Sequence, residues 1–409
     1  MQKIALINCF FGPLPWYFDF FLKSCCTNET VDFIIFSDSS YNKRLPENVK
    51  IVSFNLNDFN QLATQKLNMS IDVKTPYKLC DFKPAYGVIF SEYLRNYDFW
   101  GMCDIDVILG NIRSFMTTEI LQEYDVISTR HDFVTGWFML FRNKPEINDL
   151  FKKSKDYAKV FTSEIHYCFD ECNFKYLQLD DEVSNILDID CEIESMEHVV
   201  RKEMNLNRIK VYYDLIMVDG LSGKIKWDHG TLSYDSEFEV LLYHLIRYKA
   251  NQYTQKTAWE TIPDVFYVDK YCFRRNGMKT FSGLFKSLYF NKLKVQALKV
   301  SNVFKFFISN LFAAKNSPDF QNAIYKNQQG DDCFNILDNQ IFFETSKHKG
   351  DKLVHSKFEK NTVYLRNHPL ASLRYSKGQN NEISKIQLMQ IDGGWVHYEL
   401  KAETSELAN

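Results

Sequence analysis

Three short apolar runs near the start of the chain, Ile4 to Cys9, Val31 to Phe36 and Val49 to Phe54, are separated by segments such as Trp16 to Cys25 that carry apolar residues at helical spacing. No other feature constrains the fold as much. Strands spaced by helices point to an α/β sheet covered on both faces. The pattern continues: Pro84 to Leu94 reads as a helix with proline in its first turn, Asp98 to Ile105 as a fourth strand, and Asp125 to Ser128 and Trp137 to Phe141 as further strands. In such sheets ligands bind beyond the carboxyl ends of the strands. Asn8, Asp38 and Asp104, the polar residues at those ends, are therefore the ones to follow.

Composition narrows the class. Of 409 residues, 45% are hydrophobic and 25% charged, the balance of a soluble globular protein. A net charge of −3 supplies no general pull toward nucleic acid, and none is expected as a partner. The ten cysteines are irregularly spaced, with no CxxC pair, and Cys168 and Cys172 lack a second ligand pair nearby. They read as buried free thiols of a reducing compartment. No apolar window reaches the ~18–20 residues of a membrane span, and no signal-like segment precedes Lys3, so a cytoplasmic location is expected.

Beyond residue 250 the character changes. Lys270 to Pro318 contains no Asp or Glu, while lysines 279, 286, 292, 299 and 305 recur near two helical turns beside Leu284, Leu288, Leu298 and Phe304. This reads as a basic amphipathic segment, suited either to peripheral contact with the inner face of a membrane through 279–315 or to packing with its lysines solvated. Alternating runs such as Gln340 to Phe343 suggest a β-rich tail. The expected division is 1–250, 251–318 and 319–409.

Chemistry concentrates in Asp104-Ile-Asp106, which follows an apolar run from Tyr97 to Cys103. Alternate residues of an extended backbone share a face, and two adjacent carboxylates are unfavourable unless a cation compensates. Mg2+ or Mn2+ does so while also binding diphosphate oxygens. A solvated turn is the ordinary reading of such a pair, but the run feeding it is too apolar for a surface loop.

Here the chain resembles a known family. Lys78 to Pro84, the Tyr97 to Gly101 run, Cys103 to Asn111, His131 to Gly136 and His166 to Cys172 are similar to blocks of bacterial GT-A-type glycosyltransferases associated with surface polysaccharide synthesis. The resemblance covers about residues 1–250. It implies a GT-A-like mixed sheet sandwiched by helices, a nucleotide-sugar donor, UDP-linked, and a divalent metal. It also implies a late histidine at the metal, which His244 matches, and a glycan or lipid-linked glycan acceptor.

Individual residues then take expected roles, each beside a structural one. Asp104, Asp106 and His244 are the expected metal ligands. Lys249, or Arg247, suits a diphosphate; Lys78, Asp81 and Lys83, around a helix start flanked by lysines, suit nucleotide contact; Asn8 and Asp38 suit base or ribose. Asp170 or Glu171 suits the base that takes the acceptor proton, or an ordinary helix cap. His131, Gly136 and Trp137 suit the acceptor, Gly136 by close approach and Trp137 by stacking, unless Trp137 is simply core. Trp227 to Gly230 reads as a turn, suited to a mobile loop over the donor. Two other functions fit the motif. One is a haloacid dehalogenase-like phosphohydrolase, although that class carries its motif on the first strand. The other is a non-catalytic carbohydrate-binding or scaffold protein.

Overall fold

The computed structural model describes residues 1–179, 184–251 and 254–275, residues 293 and 300, and the strands between 323 and 403. The chain divides into two compact units, 1–249 with 255–279 and 250–254 with 280–409.

Strands of the first unit are β1 (Ile4–Phe10), β2 (Val31–Ser37), β3 (Val49–Ser53), β4 (Phe99–Cys103) and β5 (Val107–Leu109). Then come β6 (Val126–Ser128), β7 (Phe138–Arg142), β8 (Val211–Tyr213), β9 (Met217–Val218) and β10 (Ile225–Asp228). The last are β11 (Thr231–Tyr234), β12 (Phe238–Glu239), β13 (Leu242–His244), β14 (Val265–Val268) and β15 (Phe273–Arg274). Seven of them form the main sheet in the order β3-β2-β1-β4-β7-β6-β8. β3, β2, β1 and β4 run parallel, and β7 is antiparallel to β4. The chain builds outward from β1 to β3, then returns to place β4 on the other side of β1, so the sheet reverses order between β1 and β4. Ligand crevices form at such a point.

Side chains explain the sandwich. Successive residues of a strand face opposite ways. Ile4, Leu6, Phe33, Ile35, Phe138 and Leu140 enter one core with helix α1 (Phe18–Cys26). Ala5, Ile7, Ile34, Phe36, Trp100 and Met139 enter the other, with Phe59 and Ala63 of α2 (Leu56–Leu67). Both faces are covered, and the mixed α/β sandwich expected from the sequence is what forms.

The expected helix from Pro84 to Leu94 is a correction. A 3-10 helix runs over Pro76–Ala85, followed by two single α-turns, Tyr86–Ile89 and Ser91–Leu94. Pro84 lies inside the 3-10 helix rather than at a helix start. Without an N–H and with a ring that clashes with the carbonyl four residues back, it opposes α-helical winding there. Gly87 then passes under Trp100, where a Cβ would lie 2.5 Å from Cε2 of the indole.

Two smaller sheets complete the unit, β5-β13-β9 and β12-β11-β10-β14-β15. The second takes in residues past 250 because β14 pairs with β10. Trp227 to Gly230, read from sequence as a loop over the donor, is the β10–β11 hairpin turn, with His229 and Gly230 at positive φ and Gly230 against Thr27. The second unit contains eight strands, β16 (Ala323–Asn327), β17 (Cys333–Leu337), β18 (Gln340–Glu344), β19 (Asp351–His355), β20 (Thr362–Tyr364), β21 (Ser372–Lys377), β22 (Ile383–Met389) and β23 (Trp395–Glu403). Consecutive strands pair, and β23 pairs with β16 to close a barrel, which leaves no free edge. Leu293 and Val300 apart, the basic stretch 279–315 lies outside the described residues.

No helix among the described residues is long and apolar enough to cross a membrane. The nine described cysteines are unpaired, as expected; they are not all buried, however, since Cys26 is exposed.

Candidate functional site

Asp104 and Asp106 lie in the turn between β4 and β5; β4 ends at Cys103, two residues before the strand end expected at Ile105. Ile105, 4% exposed, turns into the core and leaves its two neighbours on the other side. His244 arrives by the short antiparallel pairing of β13 with β5, opposite Val107, and Leu245 N donates to Asp106 O at 2.8 Å. One ligand atom from each of Asp104, Asp106 and His244 lies within 4.8 Å of the others. His244 Nε2 is 3.5 Å from Asp106 Oδ2, and its buried Nδ1 has no hydrogen-bond partner among the described residues. Two carboxylates and an imidazole, clustered and incompletely partnered, fit a divalent ion.

Cations crowd the same carboxylates. Lys249, on the helix Ile246–Ala250, donates to Asp106 Oδ2 at 2.6 Å, and Lys83 donates to Asp104 Oδ1 at 2.7 Å. Burial acts to raise the Asp106 carboxyl, but His244 and Lys249 outweigh it and hold the group well below the usual carboxylate range. Burial acts to lower His244, and Asp106 overcomes it, so the imidazole stands above its ordinary value. Burial likewise opposes the Lys83 ammonium, and Asp104, Cys80 and Asp170 together raise it well above a normal lysine.

Lys83 links this cluster to a second one. Its Nζ also donates to Gly136 O at 2.8 Å and lies 3.8 Å from Asp170 Oδ2. Gly136 N donates to Glu171 Oε1 at 2.7 Å, and a Cβ on Gly136 would overlap Asp170 Oδ2. Glycine is needed there because the acidic pair occupies the place of a side chain. Asp170 and Glu171 do not cap a helix through their side chains. Instead Phe169 O and Glu171 O accept from the first amides of the helix Met196–Asn205, which fixes the loop. Burial pushes the Asp170 carboxyl well above its ordinary value; Lys83 pulls it back, and Glu171 and Asp81 push it further up. Glu171 is already engaged, its Oε2 accepting from Tyr176 at 2.7 Å.

The remaining sequence expectations fall in different places. Lys78 and Asp81 form a sealed pair 2.8 Å apart, and Lys78 also donates to Val160 O and Ile165 O. All three ammonium protons of Lys78 are engaged, and no α-helix begins at Pro84. Asn8 is buried at the β1–β4 switch; its Nδ2 donates to Cys103 O at 2.7 Å, and its Oδ1 has no partner among the described residues. Asp38 Oδ1 accepts from Gly12 N at 2.8 Å, tying the loops after β1 and β2 together. His131 lies in the bend before Phe133, beside the Arg130–Asp132 ion pair. Trp137 is core-like, 8% exposed, yet its ring stacks on His244 at 4.9 Å and its indole N–H has no partner among the described residues.

Sequence reasoning missed Lys83 as the bridge between the acidic clusters and Tyr176 as the partner of Glu171. Tyr176 gave a usable signal, a phenol five residues beyond Glu171. Lys83 gave none, because its bonds to Asp104, Gly136 and Asp170 all cross to distant parts of the chain.

The profile of a family of unknown function, DUF6625, matches residues 6–275. No curated protein sequence matches. Among solved structures, the glycosyltransferase GlyE of Streptococcus pneumoniae TIGR4 overlaps 52% of this chain at 11% identity, with a TM-score of 0.25. This chain covers 45% of GlyE, less than half of its length. The galactosyltransferase LgtC, solved with donor and acceptor sugar analogues, overlaps 53% of this chain and 75% of its own, at 10% identity and a TM-score of 0.28. Likeness at this level carries no argument about function.

Proposed function

Since the chain belongs to the DUF6625 family, a family of unknown function, we propose a function from the site itself: metal-dependent transfer of a sugar from a nucleotide-sugar donor, a UDP-sugar, to a glycan or lipid-linked glycan. The observation that carries this reading is the clustering of Asp104, Asp106 and His244 within 4.8 Å, at the point where the sheet reverses order. Those three residues would hold Mn2+ or Mg2+, which offsets the charge developing on a leaving diphosphate. Lys249 and Lys83 flank the carboxylates and supply positive charge for the diphosphate oxygens. Asn8, whose Oδ1 has no partner among the described residues, and Asp38 serve base or ribose. Lys78 and Asp81 leave the donor role and hold the fold.

In an inverting transfer the bond from the anomeric carbon to the diphosphate breaks, its electrons leaving with UDP. The acceptor oxygen forms the new bond, and its proton passes to a carboxylate. Asp170 is the better placed base: burial raises its affinity for a proton, and Glu171 is occupied by Gly136 and Tyr176. His131, Gly136 and Trp137 border the acceptor side. In the same proposal 1–250 is the catalytic domain of a cytoplasmic enzyme of surface polysaccharide synthesis, 251–318 the basic segment that touches the membrane through 279–315, and 319–409 an appended β module.

The test is a screen of nucleotide sugars with Mn2+, reading thermal stabilisation and donor hydrolysis. Stabilisation by a UDP-sugar that disappears in Asp104→Ala and Asp106→Ala is the expected result. Metal-independent release of phosphate from simple phosphoesters would replace this reading with the phosphohydrolase.

A further inference from the structure

One face of the 3-10 helix Pro76–Ala85 leads from solvent to the reaction centre. A 3-10 helix turns about 120° per residue, so residues three apart eclipse, and Tyr77, Cys80 and Lys83 stand in one row. In an α-helix, at about 100° per residue, Tyr77 and Lys83 would point to well-separated sides. Exposure falls along the row, from 49% at Tyr77 through half-buried Cys80 to 8% at Lys83. At its lower end Lys83 meets Asp104 and Asp170.

The upper end of the row is aromatic. Tyr77 meets the His166 ring edge-on at 4.6 Å, and the same imidazole meets Phe174 at 5.5 Å. His166 is held by Asp81, its Nδ1 3.1 Å from Oδ1. Phe174 is 38% exposed and carries a φ of 61°, a conformation that bulky residues adopt only at a cost. Lys78, the cation beside Tyr77, is consumed by Asp81 and two carbonyls, so nothing at the upper end of this helix recommends an anion. A neutral sugar fits better: its axial C–H bonds carry slight positive charge, which suits the negative face of an aromatic ring.

We propose that this row is an acceptor lane, in which the acceptor is an oligosaccharide whose end hydroxyl reaches Asp170 while a ring further back stacks on Tyr77. At a rise of about 2 Å per residue, Tyr77 stands roughly 12 Å from Lys83 along the helix, farther than a single sugar ring reaches. The lane rests on the glycosyl-transfer reading above.

The experiment uses the full chain with Mn2+, a UDP-sugar and tagged gluco-, galacto- and N-acetylglucosamine oligosaccharides, from monosaccharide to tetrasaccharide. Transfer is read by kinetics and acceptor binding by ligand-observed NMR. In the wild type, KM falls as the acceptor lengthens. Tyr77→Ala raises KM for the longer acceptors about tenfold, the worth of one good ring contact, with kcat, donor hydrolysis and Mn2+-dependent stabilisation kept, and Tyr77→Phe restores KM. Length-independent KM, an unchanged KM in Tyr77→Ala, or a panel with no oligosaccharide bound overturns the lane while donor hydrolysis still stands. Absence of any donor binding or hydrolysis in the wild type removes the glycosyl-transfer reading, and the lane with it.

Discussion

Asp81 and Asp106 each face one histidine and one lysine, yet only in the first group are the carboxylate and the ammonium fully engaged. Asp81 is fully buried and accepts from Lys78 at 2.8 Å and from the amides of Tyr167 and Phe169 at 3.0 and 2.8 Å, with His166 at 3.1 Å. Lys78 spends its other protons on carbonyls. Asp106 has Lys249 and a more distant His244, and its neighbour Asp104 is 30% exposed at the side chain; among the described residues neither His166 Nδ1 nor His244 Nδ1 makes a hydrogen bond. The same three residue types thus make a staple whose carboxylate and ammonium are fully engaged, and a site whose carboxylates keep spare capacity. Saturation, rather than residue type, separates the two.

The largest effect should come from breaking the closed group. Asp81→Ala leaves a buried ammonium and two buried amides without their acceptor, an expected loss of about 3–5 kcal/mol, measurable as a shift of the urea midpoint. Asp106→Ala should change the midpoint far less, because Lys249 is 37% exposed at its side chain and water can replace the lost carboxylate.

Paired glycines sharpen the contrast. Gly136→Ala drives a Cβ into Asp170, and Gly87→Ala drives one into Trp100. Each should cost about 1–3 kcal/mol by overpacking, read by thermal unfolding. Only Gly136→Ala should also cut sugar transfer below what its stability loss explains.

Acid should separate the groups as well. Burial acts to raise the Asp81 carboxyl, but His166 and Lys78 outweigh it, so its folded pKa lies below the ordinary 3.8. A depressed carboxylate contributes stability above its unfolded pKa and loses it as pH falls through the folded value. The stability gap between wild type and Asp81→Asn, followed by urea unfolding against pH, should therefore hold at neutral pH and shrink below pH 3.8. The smallest effect belongs to Trp137→Phe. It keeps an aromatic ring beside His244 and removes an unpartnered N–H, so stability should move by less than about 1 kcal/mol.

Parts of this contrast were readable in the sequence and parts were not. The strands β1, β2 and β4 announce themselves because both sheet faces are buried, so nearly every position of Ile4 to Ile7 or Phe99 to Cys103 is apolar. Asp104 and Asp106 stand out because such a run ends on them. The closure of Asp81 is invisible, since its amide donors lie at Tyr167 and Phe169 and the carbonyls that complete Lys78 at Val160 and Ile165. Pro84 misled because proline suits a helix start, and only the packing of the residues around it makes a 3-10 helix there. The approach of His244 to Asp106 depends on a pairing three residues long, too short to leave a pattern.

The most direct test of the open site is a manganese titration followed by electron paramagnetic resonance, with UDP present, on the wild type and on Asp104→Ala, Asp106→Ala, His244→Ala and Asp81→Asn. The metal-centre account predicts one bound Mn2+ in the wild type and in Asp81→Asn, and its loss in the other three. Equal binding by all five proteins, or none by the wild type, would contradict it.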